Sequence, residues 1–199
     1  MSPRNISAAI VIILSLLIAL GTLRAFSLDL HIAFQTMAHQ IQHAKTAFLL
    51  HISGASVALG LGAIQFIKPL RKRRPMLHRW IGRIYALAIA IGGISGLIIA
   101  LQIESVIGTL GFAVLAILWV LVTGKAVMLA RARKIAAHRR WMICSFALTF
   151  AAVTLRLQLA LFMFGFAMPY EAVYPFLAWS CWVPNLLFAL LYVRRYQTV

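Results

Sequence analysis

The chain has 199 residues, 63% of them apolar, and its three acids stand against 19 Lys and Arg, for a formal net charge of +16. Soluble domains hold about 45–50% apolar residues, and a chain well above that range cannot cover a water-facing surface with polar groups. Such a charge excess would point to nucleic acid if it ran along a soluble face. Here the charges cluster between long apolar runs, so the composition predicts a membrane protein whose basic loops meet anionic lipid headgroups.

A helix crossing the hydrocarbon needs about 20 apolar residues, at about 1.5 Å of rise each through a layer about 30 Å thick. Six runs qualify, at about residues 6–26, 46–67, 80–101, 107–128, 141–166 and 173–193. Backbone groups in lipid must be bonded internally, which makes helices the form for such runs, and nothing alternates as a barrel strand would. The fold class expected is an all-α, polytopic transmembrane bundle, one domain over residues 1–199. The first run reads as a retained anchor. Its apolar stretch is nearer about 20 residues than the 7–15 of a signal peptide, and no small-x-small cleavage site follows. A cleaved first run would leave the other five spans oriented alike. Residues 28–45, without Gly or Pro, read as an interfacial helix or an extension of the second span.

Charge sets the orientation. Lys68, Arg71, Lys72, Arg73, Arg74, Arg79 and Arg83 lie between or just within spans two and three. Lys125, Arg131, Arg133, Lys134, Arg139 and Arg140 lie around the loop between spans four and five. Arg194 and Arg195 follow span six and Arg4 precedes span one. All fall on one side when both termini are cytoplasmic, leaving Arg24, Lys45, Asp29, Glu104 and Glu171 on the other, which is the positive-inside asymmetry. Trp80 and Trp141 then stand at the inner boundary and Tyr170 and Tyr174 at the outer, as interfacial anchors.

The two basic loops end alike, in Leu77-His78-Arg79-Trp80-Ile81 and His138-Arg139-Arg140-Trp141-Met142. Each leads into a span of the same direction, so spans 2–3 and 4–5 read as parallel repeats of one hairpin, although basic and Trp residues are favoured at any inward helix start. These runs, with Gly82-Arg83-Ile84-Tyr85, the run from Ala147 to Arg156 and Cys181-Trp182-Val183-Pro184-Asn185-Leu186, resemble those of the bacterial membrane-protein family known as domain of unknown function 2306 (DUF2306). The resemblance covers about residues 48–190 and implies a bacterial inner-membrane protein with no established activity. The family pattern carries an acid shortly after the Pro-Asn pair. Leu190 holds about that place here, so a role for that acid does not carry over.

Ionisable groups in hydrocarbon cost several kcal/mol and mark partners or function. His51 lies about 8 Å below the outer edge of span two by helical rise. Arg156, fifteen residues beyond Trp141, lies about 22 Å from the inner surface and so at about the same depth as His51. The alternative for Arg156 is snorkelling to the outer interface and bonding Glu171. Asn185 follows Pro184, which removes a rung of the helix ladder, and its expected work is a bond to a neighbouring helix. Gly54, Gly62, Gly92 and Gly96 put small residues at packing faces, and Gly92-x-x-x-Gly96 has helix-contact spacing.

The histidines carry the sharpest hypothesis. His78 and His138 start two parallel helices at one depth, so they are placed to hold one haem b as axial ligands, with room for a second near His51. Arg156 would steady a propionate or a quinone oxygen. Set against this, His78 and His138 sit among Arg and Trp, where an imidazole facing headgroups needs no cofactor. His39 and His43 have metal-ligand spacing, with only His31 and Asp29 near enough in sequence to add to them. Cys144 and Cys181 lie in apolar runs and suggest neither a disulfide nor zinc. Buried carboxylate pairs, a metalloprotease helix and a phosphate-cradling loop are missing. Two functions stand at this point. One is a haem b-binding redox protein exchanging electrons with quinone. The other is a non-enzymatic membrane protein with Arg79, Arg139 and Arg140 on lipid headgroups and with Arg156, His51 and Asn185 lining a path for lipid or a small solute.

Overall fold

The computed structural model describes residues 3–23, 26–27 and 30–195, all of them helix, turn or loop. Arg24 and Asp29 lie outside the described residues, as do the side chains of Arg4, His31, Lys68 and Lys72. Six helices or helix pairs among the described residues are long and apolar enough to cross a membrane.

Helix α1 (Pro3–Leu23) is followed by a short α2 (Leu30–Ala33) and a 3-10 turn at Gln35–Met37. The long α3 (Ala38–Gln65) extends the second span by about two turns beyond its apolar run, and bends at Ala44, whose φ of −142° and ψ of 41° are not helical. Of the two readings for residues 28–45, the extension of the second span is the one seen, over Ala38 onward. α4 (Lys68–Arg73) carries the first basic loop, and α5 (Pro75–Ala100) starts on a proline, which costs nothing at the first turn because that N–H has no helical acceptor. α6 (Val106–Arg131) is capped by Ser105, whose Oγ accepts from the Gly108 N–H at 3.3 Å.

The fifth span is two helices, α7 (Ile135–Thr149) and α8 (Ala151–Ala160), closed by a π-helical turn at Leu161–Gly165. The sixth is α9 (Tyr170–Ser180) and α10 (Val183–Arg195), broken at Cys181 and Trp182. Pro184 explains the break: without an N–H it leaves the Ser180 carbonyl free, and Gln158 Nε2 donates to that oxygen from α8 at 3.4 Å.

α3, α5, α6 and α7 form the packed centre, with α1 against α3, α9 against α6 and α10 against α7. Tyr85, Ile89, Trp119, Leu148, Cys181 and Trp182 meet in its core. α5 is apolar on both sides. Tyr85, Ala88, Ile89, Gly92 and Ser95 are buried, while Ile84, Leu87, Ile91, Ile94 and Ile98 are exposed on the opposite face. A helix apolar all round with one face uncovered is solvated by lipid.

Glycine sets the tightest approach. A Cβ at Gly54 would stand 2.7 Å from the Ala88 carbonyl oxygen and 2.9 Å from the Gly92 nitrogen, so α3 and α5 meet backbone to backbone.

Candidate functional site

At the basic end of the bundle, Trp80 and Trp141 are exposed as anchors should be, and the Arg83 guanidinium lies over the Trp80 ring at 4.8 Å. Arg79, Arg139 and Arg140 are exposed there too. One layer deeper the polar groups close on one another. Tyr85 Oη lies 2.9 Å from both Ser145 Oγ and Thr149 Oγ1, and Trp119 Nε1 donates to Thr149 Oγ1 at 2.8 Å. Thr123 Oγ1 completes the set, 2.7 Å from Ser145 Oγ and 2.7 Å from the Trp119 carbonyl oxygen. All five side chains are buried, and each has a partner inside the protein.

Above this network the bundle is hollow. A cavity of about 660 Å³ lies between α3, α5, α6, α8 and α9, walled mainly by apolar residues such as Ile52, Leu115, Leu155 and Met163. A few polar groups converge on it, among them His51, Thr149, Arg156 and Tyr170. A second, smaller cavity of about 210 Å³ lies beside it, lined by Gly21 and Thr22 of α1, Ala33, Phe34 and Arg156. Arg156, Thr22 and Phe34 border both.

His51 and Arg156, expected at one depth, face the same chamber and lie within electrostatic reach of each other. The His51 Nδ1–H donates to the Gly92 carbonyl oxygen at 2.7 Å. Its ring fits because residue 96 has no side chain: a Cβ there would stand 2.7 Å from Nδ1. The two glycines of Gly92-x-x-x-Gly96 therefore do different work. Gly92 admits the α3 backbone, and Gly96 seats an imidazole.

Arg156 does not snorkel to Glu171. Its Nη1 donates to the Ala152 carbonyl oxygen one turn back on its own helix, at 2.9 Å, and its Nη2 donates to Thr22 Oγ1 at 3.0 Å. Helical side chains lean toward the N-terminus of their helix, so on α8 the guanidinium turns toward the middle of the bundle. Both partners are neutral. Among the described residues no carboxylate pairs with it, and Glu104 and Glu171 are exposed.

Tyr170 and Tyr174, expected as outer anchors, line the chamber instead, with their rings 4.6 Å apart and Tyr174 buried. Glu171, beside them on the first turn of α9, faces outward, so the helix presents its tyrosines to the interior. Asn185 does the structural work expected of it. Its Nδ2 donates to Thr154 Oγ1 at 2.9 Å and to the Cys181 carbonyl oxygen at 3.0 Å, tying α10 to α8 across the break.

The paired histidines of the basic loops are not equivalent. His138 Nδ1 bonds the Ala126 carbonyl oxygen at 2.9 Å, which joins α7 to α6. His78 offers its backbone oxygen to Gln65 Nε2 at 2.9 Å, while its Nδ1 is buried with no partner among the described residues. The two lie within electrostatic reach of each other, but neither borders the chamber, of whose lining His51 is the histidine. His39 and His43 are exposed, rings 4.2 Å apart, and among the described residues no three His, Cys, Asp or Glu side chains gather as a metal site. Cys144 and Cys181 are free and buried.

A family model described as a predicted membrane protein, DUF2306, matches residues 48–193. The chain belongs to that family. No curated protein and no solved structure matches it. The matched stretch holds α5 to α9, most of α3 and α10, His51, Arg156 and the closed network, so the chamber is largely built from the DUF2306 region. α1, with Gly21 and Thr22, lies before it.

The network of this DUF2306 chain escaped the sequence reading because hydroxyl groups in an apolar run carry no charge. A signal was present. Trp119 with Thr123 and Ser145 with Thr149 are both i, i+4 pairs, which puts their polar groups on one stripe of each of two neighbouring spans. The leaning of Tyr170 and Tyr174 into the bundle had no such signal.

Proposed function

We propose that this DUF2306 protein is a non-enzymatic, multi-pass membrane protein that takes a small amphiphile into its bundle. One observation carries the reading: the chamber of about 660 Å³, mainly apolar, on which His51, Arg156, Tyr170 and a few hydroxyl groups converge. Ligand sites are commonly hollows of about 300–1,000 Å³, mostly apolar with a few placed polar groups. His51 and Arg156 are costly in hydrocarbon, and the chamber gives that cost a use. The basic end faces the cytoplasm of a bacterial inner membrane with both termini on that side, and Arg79, Arg139 and Arg140 hold anionic headgroups there.

The test is to purify the protein in mild detergent and identify co-purifying small molecules by native mass spectrometry and solvent extraction. A bound amphiphile is expected. Its retention should fall in Ala55→Phe, because Ala55 borders the chamber and a ring there takes up part of it. A wild-type protein that carries and takes up nothing would overturn the reading.

A second reading is a haem b-binding redox protein with His78 and His138 as axial ligands, exchanging electrons with quinone. Its support is the unpartnered buried Nδ1 of His78 and the nearness of His138. Oxidised and dithionite-reduced visible spectra of protein expressed with haem supplied decide it. A low-spin haem b band that disappears in His78→Ala or His138→Ala would replace the first reading.

A further inference from the structure

The ligand class is legible in the way the two cavities share Arg156. We infer that the chamber takes a single amphiphile with an anionic head, the head in the small cleft at Arg156 and Thr22 and the tail in the large chamber; this rests on the amphiphile reading above.

A guanidinium has five N–H donors, and here one goes to the Ala152 carbonyl oxygen and one to Thr22 Oγ1. Neutral oxygens satisfy donors without balancing charge, and a cation held in an apolar setting is stabilised far more by an anion. The fork of a guanidinium matches the paired oxygens of a carboxylate or phosphate. The two spaces also differ as a head and a tail do. The cleft of about 210 Å³ sets Thr22 and the cation, which border both spaces, among Leu17, Ile18, Gly21 and Phe34, while the chamber of about 660 Å³ runs on from them between Ile52, Leu115 and Leu155. Gly21 faces open space, with nothing within 4 Å of where its Cβ would be. A Cβ at that position meets no neighbour, and a longer side chain there narrows the cleft that Gly21 borders.

The experiment uses the full chain in phosphatidylcholine nanodiscs and measures retention of labelled oleate, oleyl alcohol and hexadecyl phosphate. Wild type should hold oleate or the alkyl phosphate at least about tenfold more tightly than the alcohol, the difference expected of charge-assisted hydrogen bonds in a mainly apolar site. Preference between the two anions identifies the head as carboxylate or phosphate, and either supports the inference. Arg156→Gln should remove the discrimination while leaving alcohol binding, and Arg156→Lys should keep part of it. Gly21→Leu should weaken retention of the anions with a melting point no lower than that of wild type, since leucine favours the helix over glycine. Equal retention of oleate and oleyl alcohol by wild type overturns the anionic-head assignment and leaves the chamber reading standing. Retention of neither overturns both.

Discussion

Toward the basic end, Tyr85, Trp119, Thr123, Ser145 and Thr149 are packed around one another with hydrogen bonds of 2.7–2.9 Å between side chains. Toward the far end, His51 and Arg156 are each tied to the fold by contacts to neutral oxygens and otherwise face a cavity. Thr149 belongs to both regions, as a member of the network and part of the chamber floor. The difference teaches where stability and binding reside. A polar cluster whose members bond one another spends its groups on joining helices, even where Trp119 and Thr149 border the chamber. A cation whose partners among the described residues are neutral oxygens leaves its charge to a ligand.

The comparison breaks most sharply at two glycines. Gly62→Val pushes a side chain against Phe146 and Tyr85, each 2.8 Å from the Cβ position, and should cost up to about 3 kcal/mol by overpacking. Thermal unfolding in detergent followed by tryptophan fluorescence measures it, and a melt like that of Gly21→Leu would show that the packed region is as slack as the cleft. Next comes Thr149→Val, which strands the Trp119 N–H and removes a partner of Tyr85. A loss of about 1–3 kcal/mol is expected. Arg156→Gln, by contrast, should leave stability unchanged or raise it, since it takes a charge with no carboxylate partner among the described residues out of an apolar setting. Equal losses from the two substitutions would erase the distinction between the regions.

Smaller effects sharpen it. Gly96→Ala forces His51 away from the Gly92 oxygen, at a cost near the net worth of one hydrogen bond, about 1 kcal/mol. It should also change the ligand selectivity of the chamber, which a melt and the retention assay read separately. The smallest effect is a gain. Arg133 holds a φ of 58° after α6, where its own N–H bonds the Ala130 oxygen at 3.0 Å and the Lys134 N–H bonds the Leu129 oxygen at 2.9 Å. This is the helix stop that favours glycine. Arg133→Gly should therefore raise stability by up to about 1 kcal/mol while leaving the chamber untouched.

Much of the candidate site was legible before any fold was known. Counting residues from Trp141 put Arg156 level with His51, and the two face one cavity because helical rise is fixed and both spans are nearly continuous. The count could not give direction. Whether Arg156 runs up to water or back toward Thr22 depends on α1 standing beside α8, a contact between residues 134 positions apart. Trp80 and Trp141 are exposed, as the anchor reading asks, whereas Tyr170 and Tyr174 line the chamber, because an aromatic ring at the end of a span can face outward or into the bundle with the same sequence around it.

The sequence alone determined the spans, their helical form and the segregation of basic residues at one end. Each follows from a local rule: a run of apolar residues long enough to satisfy its own backbone in lipid, ended by charges that cannot enter. Only the tertiary structure decided which apolar faces meet each other and which meet lipid, and so where the chamber lies. In lipid both faces of a helix are apolar, and burial is chosen by shape. Here Gly62 lets α3 close on Tyr85 and Phe146, Gly54 and Gly92 let α3 and α5 meet backbone to backbone beside the chamber, and the space the other helices do not fill is the chamber.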